Sequence, residues 1–396
     1  MTLRTAWVWL LVAQTVAPYA QEPSTWLDSL VESLPTYRRH IAAAPGDFEL
    51  QVLYRALDGP EAGETLGYGL APQRYFYPAS TVKLPVAALA LQHVNELGVL
   101  GLDADSPMEV GVGVPPQTAS RTRVGMADTP ATILGHVRDI AIVSSNEAYN
   151  RLYEWIGPRY IHEQLHLRGW TGRIATRLGE QAFAVTDNYF LNPVAFRNTL
   201  RRQRSDTVYY RGPALTGAPP LRGVSGLAKG RGYYDDATQR VVREPFDFSQ
   251  KNFVPLGVLA DVLQAIVLPE TVDSLRRFRM READRFALLE ALRTRPADSD
   301  NPLHHDKPDG YVNFLYYGGG GDWEAGGPVI YNKVGDAYGY LTDVAVFEDA
   351  RTGRRYLLAA TIHVNANGVY NDGVYEYEEI GLPFLRELGR AVWARG

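Results

Sequence analysis

A serine and a lysine stand three residues apart at the start of an apolar segment. Ser80 and Lys83 precede the run from Leu84 to Leu91, whose apolar residues on nearly every face predict a buried helix. Residues i and i+3 share a helix face, so the lysine amine can reach the serine hydroxyl. A neutral lysine can take the hydroxyl proton and activate the serine, and burial favours neutral lysine. The pair alone also fits a serine N-cap followed by a solvated lysine, but a charge in so apolar a segment would be costly.

Two more short motifs follow in the chain. Ser-Ser-Asn at 144–146 opens a predicted helix, and Lys-Val-Gly at 333–335 precedes a predicted strand at 341–348. With Ser-x-x-Lys at 80–83, the three motifs resemble the signature set of class A β-lactamases and penicillin-binding proteins. The predicted hairpin before the serine and the aromatic-Pro-Ala approach to it also resemble that family. The resemblance covers about 45–180 and 250–393.

The resemblance implies an α+β fold of the serine β-lactamase/transpeptidase-like type. The predicted element order is strands, many helices, strands and a last helix, which agrees with that class. We expect one antiparallel sheet, built from both chain ends and flanked by helices, with an inserted helical subdomain over about 76–300. The implied reaction is acyl transfer through a serine ester, without metal or cofactor.

The resemblance also implies a role for each motif residue. Ser80 would attack an amide carbonyl, and Lys83 would take or relay its proton. Ser144 would pass a proton to the departing nitrogen, helped by Lys333. Asn146 would bind the substrate's side-chain amide and Lys83.

The Lys-Val-Gly segment would form the substrate-binding edge of the site. Val334, Gly335 and Asp336 are the candidate binding residues here, and Lys333 would supply positive charge for a substrate carboxylate. The backbone N–H groups of Ser80 and Asp336 would form an oxyanion hole, if the strand after Gly335 runs along the site edge.

The sequence departs from the family pattern at two motif positions, 145 and 334, and carries an aspartate directly after the third motif. Ser145 replaces an aspartate whose role is mostly structural. Val334 replaces a threonine and so lacks a hydroxyl for the substrate carboxylate, and Asp336 could repel that carboxylate. We therefore expect altered carboxylate recognition and a substrate other than a standard penicillin.

The residue that activates water for deacylation is harder to assign. Class A enzymes use a glutamate in a Glu-x-x-Leu-Asn pattern, which this sequence lacks. Glu180 stands about where that loop should begin and is the candidate base, the alternative being a surface glutamate. The insertion at about 205–250 could roof the site with its tyrosines, although a surface hairpin is the preferred interpretation.

Composition bounds the remaining possibilities. The chain has 396 residues, a net charge of −5 and no cysteine. The negative charge argues against nucleic acid as a partner, and the absence of cysteine excludes thiolate chemistry.

The N-terminus predicts a signal peptide over 1–20, and thus export to the periplasm or medium, from Arg4, an apolar run at 6–17 and Ala20. A buried helix or uncleaved anchor is the alternative. We expect a monomer without a membrane span after processing. His304-His305-Asp306 could bind a metal, but a solvated cluster is preferred.

Three functions remain open. The first is a class A β-lactamase-like hydrolase of the β-lactam amide, and the family resemblance favours it. The second is a penicillin-binding DD-peptidase or an esterase-type hydrolase acting on cell-wall peptides, which the missing glutamate pattern favours. The third is a non-hydrolytic cell-wall-binding protein. The joint presence of Ser80, Lys83, Ser144, Asn146 and Lys333 argues against the third.

Overall fold

The computed structural model of the protein describes residues 25–113, 118–179, 184–198, 206–321 and 323–395. The predicted signal peptide and Glu180 therefore lie outside the described residues. The helices of the described residues are α1 (Thr25–Ser33), α2 (Lys83–Leu97), α3 (Ile133–Val143), α4 (Asn146–Leu167), α5 (Leu256–Val267), α6 (Glu282–Arg293) and α7 (Leu382–Ala394). The strands are β1 (Gln51–Ala56), β2 (Thr65–Tyr68), β3 (Met108–Val110), β4 (Thr122–Arg123), β5 (Met126–Pro130), β6 (Phe190–Leu191), β7 (Val194–Arg197), β8 (Thr207–Arg211), β9 (Ala214–Leu215), β10 (Ala228–Lys229), β11 (Gly232–Asp235), β12 (Arg240–Val242), β13 (Phe246–Asp247), β14 (Val329–Ala337), β15 (Tyr340–Glu348), β16 (Arg355–His363) and β17 (Val369–Tyr370).

The main sheet joins the two ends of the chain. Its five strands are antiparallel and lie in the order β14-β15-β16-β1-β2, with Leu53 opposite Ala359 and Lys333 opposite Val344. Side chains alternate between the two faces of a strand, so each face packs its own layer. Helices α5 and α6 pack on one face and belong to a first hydrophobic core, whereas α1 and α7 contribute to a second hydrophobic core on the other face. The predicted α+β fold with a sheet built from both chain ends is confirmed.

Strand β14 was not predicted. The expected strand began at residue 341, whereas the Lys-Val-Gly segment itself lies inside β14. This strand carries Asn332, Lys333, Gly335 and Asp336, so it lacks the apolar alternation that marks a half-buried strand.

Helices α2, α3 and α4 pack against one another beside the sheet. The first eleven residues of α2 are buried but for one, which fits its apolar sequence. Helix α4 is broken at Gly157, which has a φ of 72° and is followed by Pro158. The sequence pattern predicts separate helices at 146–156 and 158–168, and in the structure these meet at that kink. Within the described residues, no helix is long and apolar enough to cross a membrane.

The range 76–300 is more mixed than the predicted helical subdomain. Besides α2–α6 it holds the small sheets formed by β3–β13, one of which also includes β17. The insertion is more than a surface hairpin: β11 and β12 do form a hairpin, but β11 also pairs in parallel with β17. Phe248 is fully buried among Tyr75, Tyr77 and Tyr338. The insertion is thus part of the first core.

Candidate active site

Ser80 lies in a single 3-10 turn that leads directly into α2. The turn spans Ala79–Val82, and the Lys83 N–H donates to the Ser80 carbonyl. Ala79 has a φ of 45° and so lies in the left-handed region. This conformation is energetically unfavourable for any residue that has a Cβ atom. The Thr81 hydroxyl donates to the Pro78 carbonyl at 2.6 Å and helps to hold this conformation. The side chain of Ser80 is half-buried and lines a cavity.

Lys83 is buried and directed toward the junction of α3 and α4. Its Nζ donates to the Ser144 carbonyl at 2.5 Å, to Asn146 Oδ1 at 2.7 Å and to Ser144 Oγ at 3.2 Å. The side chain is 0% exposed. Among the described residues no hydrogen bond joins Ser80 Oγ to this amine, and catalytic hydrogen bonds of this kind often form only with substrate present.

Ser144 lies between two lysine amines. Lys333, from β14, donates from its Nζ to Ser144 Oγ at 2.8 Å, and Lys83 Nζ donates to the same oxygen at 3.2 Å. Lys333 is also buried, and its Nζ donates to the Val334 carbonyl at 2.9 Å. A hydroxyl in contact with two amines can accept a proton from one and donate its own proton elsewhere, so this arrangement can act as a proton relay.

The surroundings of the two amines lower both of their pKa values. Burial lowers the pKa of Lys83 well below its ordinary value, and the neighbouring charge of Lys333 lowers it further. Burial lowers the pKa of Lys333 to about 7, although Asp336 and Asp343 oppose the shift. The lowered pKa of Lys83 favours its neutral form, which can act as a base, and the pKa of Lys333 lies near neutral pH.

The geometry of the Ser-Ser-Asn segment explains the replacement of aspartate by serine at position 145. Ser144 ends α3 in a left-handed conformation, with its N–H donating to the Asp139 carbonyl. Ser145 is the N-cap of α4, and its Oγ accepts from the Ala148 N–H at 3.2 Å. A serine serves as well as an aspartate in that role, so the substitution preserves the junction.

Strand β14 passes very close to the nucleophile turn. A Cβ on Gly335 would lie 2.6 Å from the Pro78 carbonyl oxygen and 2.7 Å from the Ser80 nitrogen. Only a glycine allows this approach. Strand β14 is at the edge of its sheet, so the Ser80 N–H and the backbone near Asp336 stand beside each other at the cavity. The oxyanion-hole assignment stays a prediction.

The structure places the other predicted binding residues differently. The side chain of Val334 packs in the second core, below the sheet, and is not part of the cavity lining. Asp336 lines the cavity and its side chain is exposed. Asn146 also lines the cavity. Glu180 follows directly after Gly179, which lines the cavity.

The sequence reasoning missed the residue that holds the segment before Glu180. Asn150 Nδ2 donates to the Leu178 carbonyl at 2.7 Å, and the Leu178 N–H donates back to Asn150 Oδ1 at 2.8 Å. Asn150 lies four residues after Asn146 and so on the same face of α4, a spacing that could have revealed it. Arg177, just before Leu178, forms an ion pair with the buried Glu154, with 3.1 Å between Arg177 Nε and Glu154 Oε1.

A buried carboxylate below the lysines was also missed. Asp343, on β15, accepts from the Phe314 and Leu315 N–H groups at 3.0 and 2.9 Å and from Asn332 Nδ2 at 2.8 Å. Burial raises its pKa to about 6. Its hydrogen bonds hold the backbone of Phe314 and Leu315 against the sheet.

The two histidines of the candidate metal cluster have structural contacts. His304 Nδ1 lies 2.8 Å from Ser299 Oγ and its Nε2 lies 3.5 Å from Asp139, while His305 Nε2 lies 2.8 Å from the Ser299 carbonyl. Among the described residues, no group of three potential ligands is arranged to hold a metal ion.

The cavity in front of Ser80 has a volume of about 410 Å³. Its described lining consists of Tyr77, Ala79, Ser80, Asn146, Leu178, Gly179, Asp336, Ala337, Tyr338, Asn371, Gly373 and Tyr375. The sheet edge, the nucleophile turn and the start of α4 meet here.

Comparison with known structures places the fold. The chain has the fold of serine β-lactamases and related transpeptidases. It is similar to the TLA-1 extended-spectrum β-lactamase, with 12% identity over 93% of this chain and 98% of that chain and a TM-score of 0.52. It is also similar to a β-lactamase from Burkholderia vietnamiensis (14% identity, 96% and 99% coverage, TM-score 0.51) and to PBP-A in an acyl-enzyme complex with penicillin G (15%, 95% and 97%, 0.49). No family model and no curated protein matches the sequence.

Proposed function

We propose that this protein is a serine hydrolase that forms an acyl-enzyme on Ser80 and, in the manner of class A β-lactamases, hydrolyses a β-lactam amide. The observation that carries the proposal is the position of Ser144 Oγ between the buried amines of Lys83 and Lys333, at 3.2 and 2.8 Å. Two buried lysines around one hydroxyl are costly for stability, so chemistry is the better explanation for them.

Acylation uses these groups in sequence. Ser80 Oγ attacks the amide carbonyl carbon while its proton passes to the neutral amine of Lys83. The C–N bond then breaks as Ser144 delivers a proton to the departing nitrogen, and Ser144 is reprotonated by the amines around it. The Ser80 proton thus ends on the leaving amine, and the acyl group remains as an ester on Ser80.

Substrate orientation involves the cavity walls. Asn146 donates from its amide nitrogen to the substrate, because its Oδ1 is occupied by Lys83. The N–H groups of Ser80 and Asp336 stabilise the oxyanion that develops on the attacked carbonyl.

Deacylation needs a base that activates water, and Glu180 is the proposed one. Glu180 follows directly after Leu178 and Gly179, and both of these residues line the cavity. The backbone of Leu178 is held in place by two hydrogen bonds with Asn150. A carboxylate at that place would complete hydrolysis of the ester.

A penicillin-binding peptidase is the second candidate. Of the residues lining the cavity that the structure describes, none is a glutamate, and Asp336 is the one carboxylate. If Glu180 does not reach the ester, the acyl-enzyme persists and is released by another acceptor.

Time-resolved intact-protein mass spectrometry with a chromogenic cephalosporin tests the proposal. The native protein should release product and return to its free mass, whereas Glu180→Gln should accumulate the adduct. Glu163→Gln, an exposed change on α4, is the matched control and should behave as native. A lasting adduct on the native protein would favour the peptidase, and the absence of any adduct would overturn both candidates.

A further inference from the structure

The cavity presents a negative charge to its ligand. Asp336 is the one acidic or basic residue among the described lining residues and is exposed there; desolvation raises the pKa of its carboxyl, and the nearby Lys333 and Lys83 oppose that shift. The two nearby lysines are 0% and 1% exposed and are hydrogen-bonded to Ser144, Asn146 and backbone carbonyls. They are therefore occupied by the relay and are poorly placed to receive a substrate anion.

The strand that carries Asp336 offers no exposed positive side chain to an anion. The side chain of Val334 lies in the second core, and Gly335 has none. Lys333 has a pKa of about 7, so its positive charge is only partly present at neutral pH. A substrate carboxylate at this edge would meet Asp336, and the one cation of the strand, Lys333, is buried and already interacts with Asp336 and Ser144.

The rest of the lining suits a cation. Tyr77, Tyr338 and Tyr375 all line the cavity, and the rings of Tyr77 and Tyr338 meet edge to face at 5.1 Å. The Tyr338 ring already has a cation against it, because Lys251 Nζ lies 5.5 Å from its centroid. Aromatic faces beside a carboxylate form a common recognition site for ammonium and guanidinium groups.

We propose that the cavity selects amide substrates that carry an ammonium or guanidinium group near the scissile bond and disfavours those that carry a carboxylate there. Asp336 is the residue that sets this preference, and the tyrosine wall supports it. The inference rests on the proposed acylation of Ser80 and defines the charge of the substrate that the site accepts.

The matched probes are three cephalosporins that differ only in the group at the ring carboxylate: the free acid, its methyl ester and its aminoethyl amide. Their charges at that position are −1, 0 and +1. The measured quantity is the second-order rate constant for the Ser80 adduct. We expect the cationic probe to react at least about tenfold faster than the anionic one, because a nearby charge changes association and transition-state binding by such factors.

Asp336→Asn should remove most of that preference, bringing the ratio of cationic to anionic rates to within about threefold. Asp306→Asn removes one exposed carboxylate elsewhere and is the control for net charge, so it should leave the ratio as in the native protein. A ratio that Asp336→Asn leaves unchanged would overturn the inference.

The main alternative is that Lys251 binds a substrate carboxylate, because this cation lies beside the Tyr338 ring. Its Nζ donates to the Tyr338 hydroxyl at 3.3 Å. A native protein that reacts fastest with the anionic probe, together with a Lys251→Met variant that loses that rate, would overturn the inference while leaving acylation of Ser80 intact. No adduct from any of the three probes would instead overturn the proposed function itself.

Discussion

Gly335 sits where a side chain would collide with the backbone of the nucleophile turn. In Gly335→Ala the new Cβ would lie within 2.6 Å of the Pro78 oxygen and 2.7 Å of the Ser80 nitrogen, and backbone atoms cannot rotate away. Strand β14 and the turn must therefore separate, which displaces Lys333 and the Ser80 N–H from each other. We expect the acylation rate to fall about 100-fold, since small misplacements of reacting groups have such effects.

The control for this prediction is Gly46→Ala, where no atom lies within 4 Å of the new Cβ. Acylation rates should be measured alongside melting temperatures, so that loss of rate is separated from loss of fold. A Gly335→Ala protein that acylates at the native rate would show that the close approach is not needed for the chemistry.

The pKa of Lys333, about 7, predicts the pH dependence of acylation. The positive charge of Lys333 favours proton delivery by Ser144, to which its Nζ is hydrogen-bonded, so the rate should fall as that charge is lost above about pH 7, by up to about tenfold for each pH unit. Rates of adduct formation between pH 6 and 10 test this. A rate that stays constant or rises between pH 8 and 10 would contradict it.

The same lowered pKa predicts that the free energy of unfolding rises with pH, whereas the acylation rate falls. The folded pKa of Lys333 lies below the ordinary lysine value of 10.5, so between about 7 and 10.5 the unfolded chain binds more protons than the folded one. The destabilisation from burying this lysine is complete below pH 7 and is relieved as the pH rises. The fall in acylation rate therefore cannot be attributed to Lys333 destabilising the fold.

Residue spacing predicted part of this site. The i, i+3 relation predicted that Ser80 and Lys83 lie together at a helix start; Ser80 lies in the 3-10 turn before α2 and Lys83 is the first residue of α2, although the Lys83 amine contacts Ser144 and Asn146. Spacing along the chain could not show that Lys83 would contact Ser144, 61 residues away, because that contact depends on how α2 and α3 pack. It also gave no indication that the Val334 side chain would face the second core.

Phe248 shows how the insertion is joined to the rest of the molecule. Its ring is fully buried and contacts those of Tyr75, Tyr77, Tyr338 and Tyr370. Phe248→Ala should lower the free energy of unfolding by about 3–5 kcal/mol, the usual cost of removing a buried aromatic ring. Equilibrium denaturation measures this change.

Phe286→Ala is the matched control, because that ring is 61% exposed. It should change the free energy of unfolding by less than about 0.5 kcal/mol. Equal and small effects of the two changes would mean that the insertion does not pack as described.

At the scale of elements, sequence patterns identified the helices better than the insertion. Apolar residues at helical spacing predict helices at about 130–143, 253–267 and 283–292, and α3, α5 and α6 lie close to these ranges. The strands of the insertion have two to five residues each, too few to show an alternating pattern. Their positions depend on contacts with distant segments, such as β17, which no local pattern records.

The whole molecule places its chemistry where distant parts of the chain meet. The turn before α2 contributes Ser80 to the candidate active site. The junction of α3 and α4 contributes Ser144 and Asn146, and edge strand β14 contributes Lys333. The order of elements was enough to predict a sheet made from both chain ends, because only that arrangement leaves the helices on its faces. It could not define the cavity, whose walls include residues from the loop after β17.

The central claim is that Ser80 is the acylated residue. The most direct test is intact-protein mass spectrometry with peptide mapping after brief exposure to a chromogenic cephalosporin, comparing native protein with Ser80→Ala and with Ser274→Ala, a change at an exposed serine. The account predicts an adduct on the peptide containing Ser80 in the native and Ser274→Ala proteins and none in Ser80→Ala. Equal labelling of Ser80→Ala, or an adduct at another residue, would contradict it.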